Sequence, residues 1–143
     1  MSSMKVAVMG GGNGSHTIAV DLSLKGLVVN MFEMERFAEK MKEVFESRQI
    51  EISGVAGQGK AKLNLVTTDI QEAIEDVEII FIPLPGFAIS AYAELLAPYL
   101  REDQFVIIMP GTLGTLEKFY GQIVIKKMLL LLRLEVFRLP PDL

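Results

Sequence analysis

The sequence predicts an α/β fold in which helices cover both faces of a doubly wound, mainly parallel sheet. Three observations lead to this prediction. Short apolar runs rich in β-branched residues alternate with helical patterns along the 143 residues. These runs are almost continuously apolar, as expected of strands that are buried on both faces. The first of them ends in the glycine-rich stretch GGGNGS, which is typical of a sharp turn from a strand into a crossover helix.

The first half of the chain supplies two strands and two helices. The run KVAVM predicts a strand at Lys5–Met9, and small and apolar residues predict a helix over 14–25 that stops at Gly26. Residues 27–33 predict the second strand. Residues 35–48 predict one amphipathic surface helix, since its apolar side chains fall on a single face: Phe37, Met41, Val44 and Phe45.

The second half begins with a less regular segment. Residues 50–66 predict a hairpin-like connection between two β-capable pieces, IEI and KLNLV, which glycines separate. Thr67, Thr68 and Asp69 each offer a side chain that could cap a short helix over 70–76. Strands follow at 77–84 and 104–109, with a helix over 87–100 between them.

Composition limits the classes of function. Half of the residues are apolar, 22% are charged, and the mean hydropathy is +0.38, which predicts one folded core and no disorder. The net charge of −4 disfavours nucleic-acid binding, and the lack of cysteine excludes disulfides and thiolate chemistry. No metal site is predicted. The longest apolar run near the C-terminus, residues 128–132, is far shorter than the roughly 18 residues of a membrane span, so no membrane partner is expected. The apolar run of the first twenty residues is broken by glycines at 10–12, which disfavours a secretory signal and predicts a cytoplasmic protein.

The glycine-rich loop is the strongest functional signal. A helix that starts directly after a strand points unpaired N–H groups and a partial positive charge at the strand end, where a diphosphate fits. Gly10 would permit the tight turn, and Gly12 would let the backbone approach a pyrophosphate because it lacks a Cβ. Ser15 takes the third place of the G-x-G-x-x-G/A motif. The alternative is a glycine-rich turn that binds nothing.

An acidic residue lies at the expected distance from this loop. Glu33 stands 21 positions after Gly12, at the end of the second predicted strand, where a carboxylate can bind the adenosine ribose. A carboxylate would repel a 2′-phosphate, which favours NAD over NADP, although Arg36 could serve a phosphate instead. Glu33 could also be an exposed charge that caps the following helix. A Rossmann-type dinucleotide-binding domain is the predicted architecture.

Several segments together resemble the N-terminal domain of opine dehydrogenases, which are related to glycerol-3-phosphate and ketopantoate reductases. They are GGGNGSH, LSLKG, the strand end FE, IIFIPLPGF and QFVIIMPGTLG, and the resemblance covers residues 5–119. It implies that NAD(P)H reduces the imine formed from an amino acid and a 2-oxo acid. It also implies the cofactor-binding residues: Gly10, Gly12, Asn13, Gly14 and Ser15 at the pyrophosphate, Glu33 at the ribose, and Leu84, Pro85, Pro110, Gly111 and Thr112 at the nicotinamide. Ser15 and Met109 depart from the family pattern of glycine and asparagine.

The resemblance also implies a helical substrate domain with a catalytic histidine, which we do not expect in this chain. Residues 1–120 are predicted to form the dinucleotide-binding domain, which we expect to be incomplete for catalysis by itself, and residues 121–143 are predicted to form an apolar tail. No catalytic residue is assigned, because the single histidine, His16, lies within the loop motif. The tail could complete the sheet, mediate homo-oligomer formation or be an aberrant end. Two alternatives to the oxidoreductase stay open: a stand-alone nucleotide-sensing regulatory module, and a remnant that only dimerises.

Overall fold

The computed structural model describes residues 3–54, 57–109, 119 and 121. The strands are β1 (Lys5–Met9), β2 (Val28–Phe32), β3 (Gln49–Gly54), β4 (Gly57–Lys62), β5 (Leu65–Thr67), β6 (Ile79–Pro83) and β7 (Phe105–Met109). The helices are α1 (Asn13–Leu24), α2 (Glu35–Ala38), α3 (Lys42–Ser47), α4 (Ile70–Ile74) and α5 (Ile89–Leu96), and a 3₁₀ turn, Glu39–Met41, joins α2 to α3.

Five of the strands form one parallel sheet in the order β5-β2-β1-β6-β7. The chain moves outward from β1 through β2 to β5, and then returns to add β6 and β7 on the other side of β1. This reversal makes the carboxyl ends of β1 and β6 a topological switch point, where open α/β sheets bind ligands. The predicted Rossmann-type fold is confirmed.

Successive side chains of the central strand, β1, point alternately into two separate cores. Val6 and Val8 point to the face covered by α1 and the β3-β4 hairpin, whereas Ala7 and Met9 point to the face covered by α4 and α5. All four side chains are fully buried. The sheet is therefore covered on both sides, as its continuously apolar strands predict.

Two predicted elements differ from the structure. The helix predicted over 35–48 is interrupted, because the 3₁₀ turn at Glu39–Met41 separates α2 from α3. Met41 is buried, while Phe37 on the same predicted face stays exposed. The hairpin is present, but its second arm is β4 rather than KLNLV, whose last residues begin β5 in the main sheet.

The short helix α4 begins as predicted, with one of the three candidate caps in place. The Asp69 carboxylate accepts hydrogen bonds from the backbone N–H groups of Gln71 and Glu72, at 2.9 and 3.2 Å. Most of the tail over 121–143 and the predicted boundary at residue 120 lie outside the described residues, so that division stays a prediction. No helix in the described ranges combines the length and the apolar character needed to cross a bilayer.

Candidate functional site

The glycine-rich loop joins β1 to α1 at the switch point of the sheet. Gly10 adopts a φ of +86°, a left-handed conformation that L side chains rarely take, and its N–H donates to Phe32 O of β2. Gly12 is the N-cap of α1, and no side chain caps this helix end. The first bond within the helix runs from His16 N to Gly12 O at 3.0 Å. The amides before His16 are therefore turned toward the carboxyl edge of the sheet without an intrahelical acceptor.

The three consecutive glycines of the loop have different surroundings. A Cβ on Gly10 would lie 2.6 Å from Leu84 Cδ2, and one on Gly11 would lie 2.9 Å from Glu33 Oε2 and clash with the Met41 sulfur. A Cβ on Gly12 would meet nothing within 4 Å. Gly10 is thus favoured by its backbone conformation, and a Cβ on Gly11 would require the Met41 side chain to move. Gly12 faces open space, so its packing within the described protein does not require a glycine.

Ser15 takes the third place of the motif without opening the helix–strand junction. Its side chain is buried, and its hydroxyl donates a 2.8 Å hydrogen bond to Met9 O, the last carbonyl of β1. The serine departure from glycine is therefore compatible with close packing here. His16 Nδ1 lies 3.0 Å from Gly12 O, so this nitrogen carries the proton and donates to the carbonyl. Asn13 and Gly14 are exposed in the first turn of α1.

Glu33 directly follows β2 and is 6% exposed, so it is not the exposed helix-capping charge that the sequence left open. Its Oε1 accepts from the Tyr92 hydroxyl at 2.6 Å and from Met34 N at 2.7 Å. Burial, reinforced by the hydrogen bond to Glu33, raises the pKa of Tyr92 well above its usual range. The second carboxylate oxygen, Oε2, is the one that lies beside Gly11.

The nicotinamide side of the predicted site is described in part. Leu84 follows β6, is buried, and packs against Gly10, whereas Pro85 is exposed and accepts a backbone hydrogen bond from Ala88 N. Pro110, Gly111 and Thr112 lie outside the described residues. The structure therefore brings together the loop, Glu33 and Leu84 at one edge of the sheet. Among the described residues, no group of three or more His, Asp or Glu side chains could hold a metal ion.

A groove of about 430 Å³ opens beside the carboxyl end of β2. Its walls combine apolar side chains with Arg36, whose guanidinium carbon lies 4.7 Å from the centre of the Phe37 ring. The lining residues are Phe32, Met34, Glu35, Arg36, Thr68, Ile70 and Leu95. A larger cleft of about 680 Å³ lies between α1, α3 and the hairpin, but its walls include neither Glu33 nor Leu84.

Sequence reasoning missed three residues of this site: Gly11, Met41 and Tyr92. Tyr92 stands 59 positions from its partner Glu33, and no local pattern marks that pairing. Met41 ends the 3₁₀ turn and lies beside Gly11, which is 30 positions earlier in the chain. Gly11 belongs to the quoted loop, but the motif treats its position as variable.

Comparison with known proteins places this geometry in a family. The family model that matches residues 5–129 describes the N-terminus of NAD-dependent glycerol-3-phosphate dehydrogenase. An opine dehydrogenase from Arthrobacter sp. (strain 1C) is 34% identical over 114 residues, which are 80% of this chain and 31% of that protein. This chain thus spans about a third of the length of that relative.

Solved structures share the fold. Octopine dehydrogenase with NADH and L-arginine superposes with a TM-score of 0.74 at 23% identity, over 87% of this chain and 32% of that one. Yersinopine dehydrogenase with bound NADP⁺ superposes with a TM-score of 0.68 at 14% identity, over 85% of this chain and 33% of that one. The chain therefore belongs to the family of NAD-dependent glycerol-3-phosphate dehydrogenase N-terminal domains, and within it is an NAD-binding domain of the opine-dehydrogenase-like kind.

Proposed function

We propose that this chain binds NAD(H) across the glycine loop and Glu33, with a preference for NAD over NADP, and serves an oxidoreductase that couples an amino acid to a 2-oxo acid. The observation that carries the proposal is the contrast between neighbouring glycines. Side chains of the protein occupy the space beside Gly10 and Gly11, whereas Gly12 faces open space at a helix end that no side chain caps.

The loop suits the diphosphate of the cofactor. Helix α1 has 12 residues and neither a side-chain cap nor an acidic residue in its first turn. Its N-terminal amides and partial positive charge can therefore act on an anion without competition from a carboxylate of the helix's own first turn. Asn13, Gly14 and Ser15 would supply backbone N–H groups, and the absent Cβ of Gly12 would let the phosphates approach.

The choice between the two dinucleotides depends on Glu33. Its Oε2 lies at the glycine loop and accepts no hydrogen bond from any residue in the described part of the chain, so it can accept bonds from ribose hydroxyls. A 2′-phosphate in the same place would meet this negative charge. Arg36 offers the opposite charge, but its guanidinium stacks on Phe37. The NADP⁺ held by yersinopine dehydrogenase makes a direct test of the preference necessary.

The reaction class is proposed from the relatives. When bound, the nicotinamide would supply the hydride for reducing an imine. Leu84 and Pro85 would hold the nicotinamide ring at the carboxyl end of β6, together with Pro110, Gly111 and Thr112. The octopine dehydrogenase structure contains an amino acid, L-arginine, together with NADH.

Calorimetric titration with NADH and NADPH tests the proposal. We expect the wild-type chain to bind NADH more tightly than NADPH. Gly12→Ala should lose NADH binding while unfolding at the same temperature, because its methyl group enters only open space. Gly121→Ala is the matched control, since an added Cβ there also meets nothing within 4 Å. Absence of binding at millimolar NADH, or unchanged binding by Gly12→Ala, would reject the proposal.

Self-association and the regulatory alternative are tested by sedimentation of the full chain. Homo-oligomer formation through residues 121–143 stays a prediction, as does a cytoplasmic location. We expect the sedimentation coefficient to rise with protein concentration and to be insensitive to ATP or ADP. A change of mass caused by adenine nucleotides, without binding of NADH, would favour a nucleotide-sensing module.

A further inference from the structure

The carboxylate of Glu33 is held at one oxygen only. The Tyr92 hydroxyl donates to Oε1 at 2.6 Å, and Met34 N donates to the same oxygen at 2.7 Å. Two donors on one oxygen fix the orientation of the carboxylate plane. The other oxygen is thereby presented to the loop, 2.9 Å from where a Cβ on Gly11 would stand.

Tyr92 is itself immobilised by packing. It lies on α5, is 4% exposed, and belongs to the core on the α4 and α5 face. Its ring meets Phe32 edge to face, with the ring centres 6.1 Å apart and the planes at 89°. Burial also raises the pKa of Tyr92, so its hydroxyl keeps the proton that it donates. The phenol is a rigid donor, and Glu33 must be its acceptor.

We propose that Tyr92 is a positioning residue that turns Glu33 toward the cofactor ribose and thereby sets the discrimination between a free 2′-hydroxyl and a 2′-phosphate. The inference rests on the proposed function. A carboxylate anchored in this way cannot rotate away from an incoming phosphate, so its charge acts fully against NADPH. Without the phenol hydroxyl, Glu33 could rotate, and Arg36 on the following helix could then offset the phosphate charge.

The experiment compares the dissociation constants for NADH and NADPH in three proteins: wild type, Tyr92→Phe and Tyr99→Phe. Tyr92→Phe keeps the ring and removes only the hydroxyl. We expect it to weaken NADH binding by about tenfold, as for a lost hydrogen bond to a charged group, and to weaken NADPH binding much less. The preference for NADH should therefore fall. Tyr99 is 42% exposed, so Tyr99→Phe should leave both constants unchanged.

A second pair of variants tests whether Tyr92 acts through the charge of Glu33, and its first member keeps the proposal testable if Tyr92→Phe does not fold. Glu33→Gln keeps a carbonyl oxygen for Tyr92 and removes the buried charge. Glu33→Gln/Tyr92→Phe then removes the anchor as well. Because the charge is already gone, Tyr92→Phe should leave the ratio of NADH to NADPH affinity unchanged in the Glu33→Gln background, where that ratio should itself be lower than in the wild type.

The outcomes separate the two proposals. If the wild type binds neither dinucleotide, the proposed function itself fails. If the wild type prefers NADH and Tyr92→Phe shows the same ratio of the two constants, Tyr92 has a structural role only and the inference is overturned. If Glu33→Gln keeps the wild-type preference for NADH, Tyr92 cannot act through the charge of Glu33 and the inference is overturned equally.

Discussion

At the scale of single residues, the packing around Gly11 gives a prediction about stability. A methyl group there would clash with the Met41 side chain and lie 2.9 Å from Glu33 Oε2. Gly11→Ala should therefore lower the free energy of unfolding by about 1–3 kcal/mol, as overpacking does in other cores. Gly12→Ala, one position away, should not. Urea denaturation measures both.

The cause of that loss is checked by a double-mutant cycle. If Met41 is the obstacle, Gly11→Ala should cost less in a Met41→Ala background, with a coupling energy of about 0.5–3 kcal/mol. A Gly11→Ala protein that is as stable as the wild type would contradict the packing described for the loop.

The raised pKa of Tyr92 predicts a loss of stability at high pH. Above pH 10, the ordinary pKa of a tyrosine hydroxyl, the unfolded chain releases the Tyr92 proton while the folded chain retains it. Stability that is present below this pH is then lost as pH rises, by up to about 1.4 kcal/mol per pH unit. Urea denaturation across this range should show a shallower slope for Tyr92→Phe than for the wild type. If the stability of Tyr92→Phe falls with pH as steeply as that of Tyr99→Phe, the result would argue against the buried Tyr92 hydrogen bond.

The same residues show what sequence can and cannot predict about the site. Gly10 and Glu33 were predictable because a motif places both at fixed positions relative to β1 and β2. Gly11 was not, since its need for a glycine comes from Met41, which is 30 positions further along the chain. The partner of Glu33 was hidden for a similar reason. Tyr92 reaches it through the packing of α5 on the sheet, which no local spacing records.

At the scale of secondary-structure elements, the start of α4 offers the clearest test. The sequence left three candidate caps, and in the structure Asp69 accepts from two N–H groups of the first turn. Asp69→Ala should lower the free energy of unfolding by about 1 kcal/mol, a typical cost for a lost N-cap. Thr68→Ala is the matched control, because Thr68 is exposed. Chemical denaturation that ranks Thr68→Ala as the more harmful change would contradict this assignment.

The elements that sequence mispredicted are those whose form depends on tertiary contacts. The amphipathic pattern over 35–48 is helical throughout, yet the chain is tightened into a 3₁₀ turn where Met41 enters the core. Likewise, KLNLV is β-capable along its length, but only its first residue belongs to β4, which pairs with β3, and only its last two residues belong to β5, which pairs with β2. Local propensity identified both segments as structured and could not assign their partners.

At the scale of the whole molecule, a doubly wound parallel sheet could be anticipated from continuously apolar strands joined by helices, whereas the strand order is known from the structure. The division of the core into two layers follows from the alternation of side chains on β1. Ile50, on β3, belongs to the layer between the sheet and the hairpin, and Ile74, on α4, belongs to the layer between the sheet and the helices α4 and α5. The five-stranded sheet lies between these layers.

This separation predicts additive stability effects across the sheet. Ile50→Val and Ile74→Val should each lower the free energy of unfolding by about 0.5–1.5 kcal/mol, through lost packing of one methylene. Their double variant should match the summed effects within about 0.5 kcal/mol, because the residues share no partners. Phe32→Leu with Tyr92→Leu is the contrasting pair, since those rings touch, and it should show coupling. Urea denaturation followed by circular dichroism measures the free energy of unfolding of the single and double variants of both pairs. Strong coupling between Ile50 and Ile74 would mean that the two layers respond as one core, against the arrangement of side chains on β1.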